Sequence, residues 1–453
     1  MTARPNVLWL VLDCARADRL SAHGYGRETT PTLDRLIREG IDYTHAVSPA
    51  IWSLPAYTAL LTGLYPSQHG VNVAGDRLPA GTPTLAQQLR RAGYATACFS
   101  NNAWLSPVFG LGAGFETFDR MWFAAQETLA DKAEFVLDRG LGTLRGEVDK
   151  GAKRTNRRLT DWLEAQRGTP SFAFVAYVEP HTPYTTHRRL AARWGAAAEG
   201  DAYAYDWVES LPERHEYPPE RVEAASVQYD IEMRYLDGLI GDMLDDFERR
   251  GLLEDTIVVV TADHGELIGE HGMMGHQCSV AEPLRRVPLI VWAPDLVEQP
   301  RVVPDVVQTV DLAPAIAHWC GAEWEASPLN RPLPLHAGDA GREVAVTDYP
   351  RPYLDGLRGK FPDADLAPVS DPLVAASDDR YKVVRRGDDV WTGYDLLADP
   401  GESAPLAPDA APELAALRDA LVRYDAEAQT LTGDAVGIPD DVRRHLKALG
   451  YVE

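Results

Sequence analysis

Short apolar runs of strand length alternate with amphipathic, helix-like segments up to about residue 320. The strand-like runs are Val7–Leu12, Tyr94–Phe99, Ser171–Val178, Thr256–Ala262 and Pro288–Trp292. Helices are predicted between these runs. Helical periodicity extends over about 84–92 and 220–249, and a further helix starts at Thr30-Pro31, with proline early in the first turn. Strands that alternate with helices predict an α/β fold with a mainly parallel central sheet flanked by helices.

The pattern changes near residue 340. Short β-type pieces at 343–347, 381–385 and 390–396 precede helical segments at 411–427 and 439–449. This succession is typical of a smaller α+β unit with an antiparallel sheet. The sequence therefore predicts a main α/β domain over 1–335, with polar insertions near 120–168 and 185–222, and a C-terminal α+β subdomain over 336–453.

The charge balance is strongly acidic. The 453 residues include 68 acidic and 44 basic side chains, for a net charge of −24, and few of the basic residues are lysines. Acidic, lysine-poor surfaces are typical of proteins from salt-loving organisms, where concentrated salt screens the repulsion. An ordinary acidic enzyme from a GC-rich genome is the alternative. Either origin disfavours a general nucleic-acid or anionic-membrane surface, because both need a basic face.

Neither a membrane span nor a secretory signal is expected. No apolar run approaches 18 residues, and the first apolar run is only of strand length. The four cysteines, Cys14, Cys98, Cys278 and Cys320, are widely spaced and contain no CxxC pair. Three of them lie in or beside apolar runs, and we expect these to be buried thiols rather than disulfide partners or zinc ligands. A reducing compartment fits, and we expect the protein to be cytoplasmic.

Polar side chains stand at or just after the ends of three apolar runs. Asp13, His181, Asp263 and His264 occupy these positions, and ligands gather at the carboxyl ends of strands in open α/β sheets. Any one aspartate there is more often a turn residue or a helix cap, so the set as a whole carries the prediction. Carboxylates with an imidazole suit one divalent cation of the Mn, Zn, Mg and Ca group.

Ser53 begins a helix-like segment that has Pro55 in its first turn. A helix N-terminus offers backbone N–H groups and a positive dipole end, which favour an anion and make an alkoxide easier to form. A cation touching that oxygen would activate it further. We therefore expect Ser53 to be the nucleophile and a metal ligand beside Asp13, Asp263 and His264. Arg16 is predicted either to contact a substrate oxyanion or to form a surface ion pair.

Further motifs occur along nearly the whole chain in a fixed order. They are Pro5–Asp13, His23–Gly26, Thr30–Asp34, Leu60–Gly70, Asp263–Glu266, Glu270–Gly272, Arg286–Val291, Asp311–Pro314 and Tyr394–Glu402. Together they resemble the sulfatase branch of the alkaline phosphatase superfamily. The resemblance implies that family's fold, a divalent metal and activity on an anionic ester.

The chain departs from the family's pattern at four places. Tyr57 stands for the arginine of the nucleophile motif, Cys14 for a second carboxylate, Asn101–Trp104 for a Gly-Lys-Trp-His segment, and His276 for a later lysine. The remaining metal set, Asp13, Ser53, Asp263 and His264, resembles that of lipoteichoic-acid synthases and related phosphotransferases. Because the arginine is missing, we expect Ser53 to stay serine and not to be converted to formylglycine.

This change alters the expected chemistry. A formylglycine hydrate releases sulfate by collapsing to the aldehyde, whereas a serine must pass its covalent intermediate to water or another acceptor. The prediction is a metal-dependent hydrolase of sulfate or phosphate esters, with the site favouring phosphoesters. His181 and His276 are predicted to bind the transferred group or to protonate the leaving oxygen.

Two alternatives remain open at this point. One is a phosphotransferase acting on a sugar or lipid acceptor, and the other is a binding protein that has lost catalysis. The expected substrate is a small or a glycan- or lipid-linked anionic ester.

Overall fold

The computed structural model describes most of the chain. It covers residues 4–122, 149–185, 187–194 and 217–448, apart from residues 295, 326, 353, 355–356, 359–361, 364, 429, 432 and 434. The predicted insertions near 120–168 and 185–222 therefore lie partly outside the described residues. Their described parts include the helices Ala152–Ala165 and Arg188–Arg193.

An eight-stranded sheet in the order β10-β2-β9-β6-β1-β5-β3-β4 forms the centre of the protein. Its strands are β1 (Asn6–Leu12), β2 (Ile41–Val47), β3 (Ala95–Ser100), β4 (Thr117–Arg120), β5 (Ser171–Tyr177), β6 (Thr256–Thr261), β9 (Leu289–Trp292) and β10 (Arg301–Gln308). Neighbouring strands pair in parallel except at β9, which is antiparallel to both β2 and β6. The predicted mainly parallel α/β sheet is confirmed.

Helices pack on this sheet and on the C-terminal sheet described below. Their bounds are Pro31–Glu39, Ser53–Thr62, Pro66–His69, Leu85–Arg91, Ala152–Ala165, Arg188–Arg193, Pro219–Arg250, Glu282–Arg285, Leu312–Trp319, Pro412–Glu427 and Asp440–Ala448. Within the described part of the chain, every helix is too short or too polar to cross a bilayer.

Strand β1 runs through the middle of the sheet and is buried from Val7 to Leu12. A parallel strand covered on both faces is apolar at every position and does not alternate, which is why this run was recognisable. Trp9 packs edge-on against Phe174 of β5, with 5.1 Å between ring centroids. This packing fixes the strand that ends at Asp13.

Strands β2 and β10 were not predicted. Polar residues break the apolar pattern of β2, and Pro304 interrupts β10. Proline is tolerated on an edge strand such as β10, where one side of the backbone needs no partner. The pairing of β10 with β2 is accordingly irregular between Val303 and Val306.

A second, antiparallel sheet lies in the C-terminal part of the chain. It consists of β11 (Ala345–Tyr349), β12 (Leu373–Ser377), β13 (Tyr381–Arg386) and β14 (Val390–Asp395). The separate short hairpin β7 (Leu267–Ile268) and β8 (Met274–Gly275) follows β6. The predicted small antiparallel sheet is confirmed, although β12 was missed.

After the helix Pro412–Glu427 the chain returns to the main sheet domain. The N–H of Leu431 donates to the carbonyl of Gln68 at 2.7 Å, and the N–H of Val436 donates to that of Gly75 at 2.8 Å. The last helix then contributes Leu446 to the main core. The last described helix is thus packed on the core of the main sheet.

Candidate metal and nucleophile site

Parallel register brings the ends of β1, β5 and β6 to one edge of the sheet. Leu12 lies opposite Tyr177, and Val11 lies opposite Thr261. The segments that leave these three strands carry Asp13, His181, Asp263 and His264, and all four side chains are buried. All four cysteines are buried and free, which includes the three that were predicted to be buried thiols.

Ser53 is the first residue of the helix Ser53–Thr62, all of which is buried. Its Oγ lies 3.3 Å from Nε2 of His264 and accepts an N–H from Nδ2 of Asn102 at 3.1 Å. His69 supports this first turn, because its Nε2 lies 3.2 Å from the carbonyl oxygen of Pro55. Burial lowers the pKa of His69 to about 3, so a neutral imidazole N–H donates to that carbonyl.

We call Asp13, Ser53, Asp263 and His264 the serine group. Nδ1 of His264 lies 2.8 Å from the carbonyl oxygen of Gly265, so Nδ1 carries the proton and Nε2 carries the lone pair. That Nε2 lies 3.7 Å from Oδ1 of Asp13 and 3.4 Å from Oδ2 of Asp263. The structure therefore brings the four predicted metal ligands together.

Three buried carboxylates, those of Asp13, Asp263 and Glu266, share this region. Among the described residues, the basic side chains within 4 Å of these carboxylates are the histidines His264 and His276, with no lysine or arginine. Burial raises the pKa of all three carboxyls, and the charge of Asp263 raises that of Asp13 further.

Oδ2 of Asp263 makes no hydrogen bond within the described chain, although it is buried. Buried carboxylates without a compensating charge are costly, and proteins usually pair them or use them to coordinate metals. The oxygen and imidazole donors of the serine group therefore fit a divalent cation.

A second set, the thiol group, consists of Cys14, His181 and His276. Sγ of Cys14 lies 3.8 Å from Nδ1 of His276. A ring nitrogen of each histidine and the sulfur all lie within 4.8 Å of one another. Oε1 of Glu266 lies 2.8 Å from Nδ1 of His276. Two predicted catalytic histidines thus meet at a cysteine whose role was not predicted.

Burial determines the charge state of this group. It raises the pKa of the Cys14 thiol, and the charges of Glu266 and Asp13 raise it further. It lowers the pKa of His181 to about 3, and it lowers that of His276 well below the ordinary value. Neutral imidazoles are better suited to act as metal ligands than as proton donors. Protonation of the leaving oxygen by either histidine therefore stays a prediction.

Two residues to which sequence reasoning gave no role support the site. Nδ2 of Asn102 donates to Oδ2 of Asp13 at 2.5 Å and also to Ser53. Asn102 follows the end of β3 by two residues, so the strand-end signal could have identified it. Nζ of Lys150 donates to the carbonyl oxygen of His181 at 2.6 Å. Lys150 lies in a polar segment without a motif, and nothing in the sequence marked it.

Gly265 explains the glycine of the Asp263–Glu266 motif. A Cβ at this position would lie 1.9 Å from the carbonyl oxygen of Pro283, so only glycine lets the chain pass there. This close approach turns the motif so that His264 and Glu266 both face the site.

Arg16 does not point to an open anion site. It is buried and forms ion pairs with Asp18 and Glu270, each at 2.7 Å. The ion-pair alternative therefore holds, in a buried form. Tyr57, which stands where the family has arginine, is also buried, and its ring meets that of Phe174 edge-on at 6.4 Å. Its ring thus packs in the core.

Comparison with known proteins agrees with the fold. The family model described as Sulfatase matches residues 5–322. The multifunctional alkaline phosphatase superfamily protein PehA of Trinickia caryophylli is 25% identical over 478 residues, covering 90% of this chain and 92% of that protein. The choline-sulfatase of Rhizobium meliloti is 23% identical and covers 90% of this chain and 83% of that protein. The phosphonate monoester hydrolase of Agrobacterium radiobacter has a TM-score of 0.76 at 22% identity, covering 96% of this chain and 100% of that one.

Proposed function

The chain belongs to the sulfatase family of the alkaline phosphatase superfamily, and from this we propose that it hydrolyses phosphate esters with unmodified Ser53 as the nucleophile. Membership makes it a sulfatase-family hydrolase, while the ester and the nucleophile are the proposed part.

The observation that carries the proposal is the surroundings of the Ser53 hydroxyl. It lies at a buried helix N-terminus, 3.3 Å from His264 and 3.1 Å from the amide donor of Asn102. Backbone N–H groups and the helix dipole favour negative charge on this oxygen. Tyr57 packs in the core at the position where the family's formylglycine motif carries arginine, which supports a serine that is not converted.

Asp13, Ser53, Asp263 and His264 would hold the divalent cation that members of this superfamily use. When bound, such a cation lowers the pKa of the serine hydroxyl and neutralises charge on the ester oxygens. The protein's own part is to aim the Ser53 oxygen, through the Asn102 N–H and the fixed helix start, and to exclude water from the ligands.

The reaction has two displacement steps. Ser53 Oγ, having lost its proton to solvent, forms a bond to phosphorus while the bond from phosphorus to the ester oxygen breaks. The departing oxygen gains a proton from water. A water molecule then attacks the phosphoserine, the bond from phosphorus to Oγ breaks, and Ser53 regains its proton.

Mass spectrometry and matched kinetics test the proposal. We expect Ser53 to have its unmodified mass in protein from the native host, and Ser53→Ala to lose turnover while keeping its metal. Ser106→Ala is the control, because Ser106 is another buried serine and only caps a short helical turn. An aryl phosphate is expected to react faster than the matched aryl sulfate.

Two outcomes contradict the proposal independently. A loss of two mass units at Ser53 would indicate formylglycine and a sulfatase mechanism. A clear preference for the aryl sulfate would mean that the family's usual substrate holds despite the altered site.

A further inference from the structure

We propose that the thiol group, Cys14, His181 and His276, binds a second cation of the zinc class beside the cation of the serine group. A thiolate with two imidazoles is a donor set that zinc and similar metals prefer, whereas magnesium and calcium prefer oxygen. The inference rests on the proposed function only for the role of this cation in turnover. Its presence can be measured without any substrate.

The donor atoms are spaced for such an ion. Tetrahedral zinc, with bonds of about 2.3 Å to sulfur and about 2.0 Å to nitrogen, holds those ligands roughly 3.5 Å apart. Sγ of Cys14 and Nδ1 of His276 are 3.8 Å apart, and no pair of donors in the group exceeds 4.8 Å. Side-chain movements of roughly an ångström would complete the coordination.

The thiol group and the serine group face different edges of one histidine ring. Nε2 of His264 lies 3.3 Å from Ser53, while its Nδ1 lies 3.8 Å from Sγ of Cys14. The rings of His264 and His276 are 4.5 Å apart between centroids. Two cations would therefore be close neighbours, as in two-metal hydrolases that clamp both the attacking and the leaving oxygen.

The backbone of Cys14 is held in an unusual conformation. Its φ is 63°, in the left-handed region that non-glycine residues adopt rarely. Tyr229 fixes this turn, because its hydroxyl donates to the carbonyl of Cys14 at 2.8 Å and accepts the N–H of Arg16 at 2.9 Å. The same turn places Sγ beside His276, so the surrounding structure fixes the thiol in the group.

The contacts of the two histidines differ, and His181 has those that metal ligands usually have. Nδ1 of His181 lies against the carbonyl oxygen of Thr182, so its Nε2 carries the lone pair. Lys150 holds the backbone of His181. Oε1 of Glu266 lies 2.8 Å from Nδ1 of His276, the same nitrogen that faces Sγ of Cys14, so a cation bound at this nitrogen would replace that hydrogen bond and lie beside the carboxylate.

The charges of the site also favour two cations. Asp13, Asp263 and Glu266 contribute three negative charges when ionised, so one divalent cation leaves an excess of one, which repels an anionic ester. A second divalent cation, with Cys14 giving up its proton to solvent on binding, balances three carboxylates and one thiolate. The ester can then enter a site without net negative charge.

Metal content and cobalt spectra of the full-length protein test the inference. Protein stripped with a chelator is loaded with zinc, freed of excess metal and analysed for zinc per chain. We expect two equivalents in the wild type, one in Cys14→Ser, one in His181→Asn, and one in Asp263→Asn. With cobalt, a thiolate-to-cobalt charge-transfer band should appear in the wild type and in Asp263→Asn, and should be absent from Cys14→Ser.

Cys98→Ser is the matched control, because Cys98 is equally buried but lies within β3, and it should keep both equivalents and the band. His181→Asn keeps the thiol and carries the test if Cys14→Ser does not fold. One equivalent in the wild type, two in Cys14→Ser, or no charge-transfer band would overturn the inference. Ser53→Ala should still bind two equivalents, so a failure of the proposed reaction would leave this result intact.

Discussion

Replacing Asn102 tests whether the side-chain amide that donates to both Asp13 and Ser53 controls the rate of ester hydrolysis. Its Nδ2 donates to Asp13 at 2.5 Å and to Ser53 at 3.1 Å. The N–H of Trp104 donates to its Oδ1 at 2.9 Å and thereby fixes the orientation of the amide. Asn102→Ala removes both of these hydrogen bonds. Asn102→Asp keeps the shape and the Trp104 contact, but offers no N–H when it is ionised.

The expected size of the effect follows from how much the hydrogen bond to Ser53 strengthens during the reaction. Only interactions that are stronger in the transition state than in the ground state change the rate. A hydrogen bond between neutral groups contributes about 1 kcal/mol, and one to a charged group about 1.5–3 kcal/mol. With some lost alignment of Oγ added, we expect about 1.4–2.7 kcal/mol, a fall of about 10- to 100-fold in kcat/KM.

The assay is hydrolysis of an aryl phosphate by metal-loaded protein, with metal content and folding checked in parallel. Asn101→Ala is the control. Asn101 is the neighbouring buried asparagine, but its Nδ2 donates to Oγ1 of Thr155 at 2.8 Å and so faces away from Ser53. It should keep near wild-type kinetics. Folded Asn102 variants with kcat/KM within about threefold of the wild type would refute the reasoning.

Two further predictions concern the cation and the surface charge. Asp263→Ala or His264→Ala should remove the cation of the serine group while the fold is kept. Asp42→Asn, which alters a buried carboxylate paired with His23 at 3.0 Å, is the control and should keep the cation. An unchanged metal content in both site variants, measured by elemental analysis, would show that the ligands are misassigned. The net charge of −24 predicts a melting temperature that rises between 0.1 and roughly 3 M KCl as carboxylate repulsion is screened. A flat or falling melting temperature would contradict the saline-cytoplasm interpretation.

The buried strands of the sheet could be predicted because their environment is uniform. Val7–Leu12 is apolar at every position, and Thr256–Ala262 is apolar apart from its two threonines. The structure ends both strands within one residue of the predicted bound. The direction of Leu289–Trp292 could not be predicted, since a four-residue apolar run has the same composition whether it pairs parallel or antiparallel. The return of Leu446 to the main core depends on long-range packing that no local pattern records.

The metal ligands could be predicted for a topological reason. Parallel strands end at one edge of a sheet, so polar residues at several strand ends must meet whatever their separation in sequence. This argument identified Asp13 and Asp263, and it could also have identified Asn102. It could not predict loop contacts such as that of Lys150 with His181, because those contacts depend on how the segments beyond the sheet fold back.

The same limit explains why Cys14 and His276 were first noted as separate departures from the family pattern. They are 262 positions apart, yet Sγ and Nδ1 lie 3.8 Å from each other. The resemblance implies a carboxylate at the first position and a lysine at the second. Their joint replacement by a thiol and an imidazole exchanges one opposite-charge pair for a neutral pair, so the local net charge is unchanged.

What does change is the donor chemistry. A lysine ammonium has no lone pair and cannot bind a metal in its charged form, whereas an imidazole nitrogen and a thiolate are both good ligands. Because Sγ of Cys14 and Nδ1 of His276 lie 3.8 Å apart, a change at either position alters the surroundings of the other. The two exchanges are therefore coupled in space. With the second cation that we propose, this pair would hold a metal ion where the resemblance implies an ammonium group, and that ion could hold a substrate oxyanion.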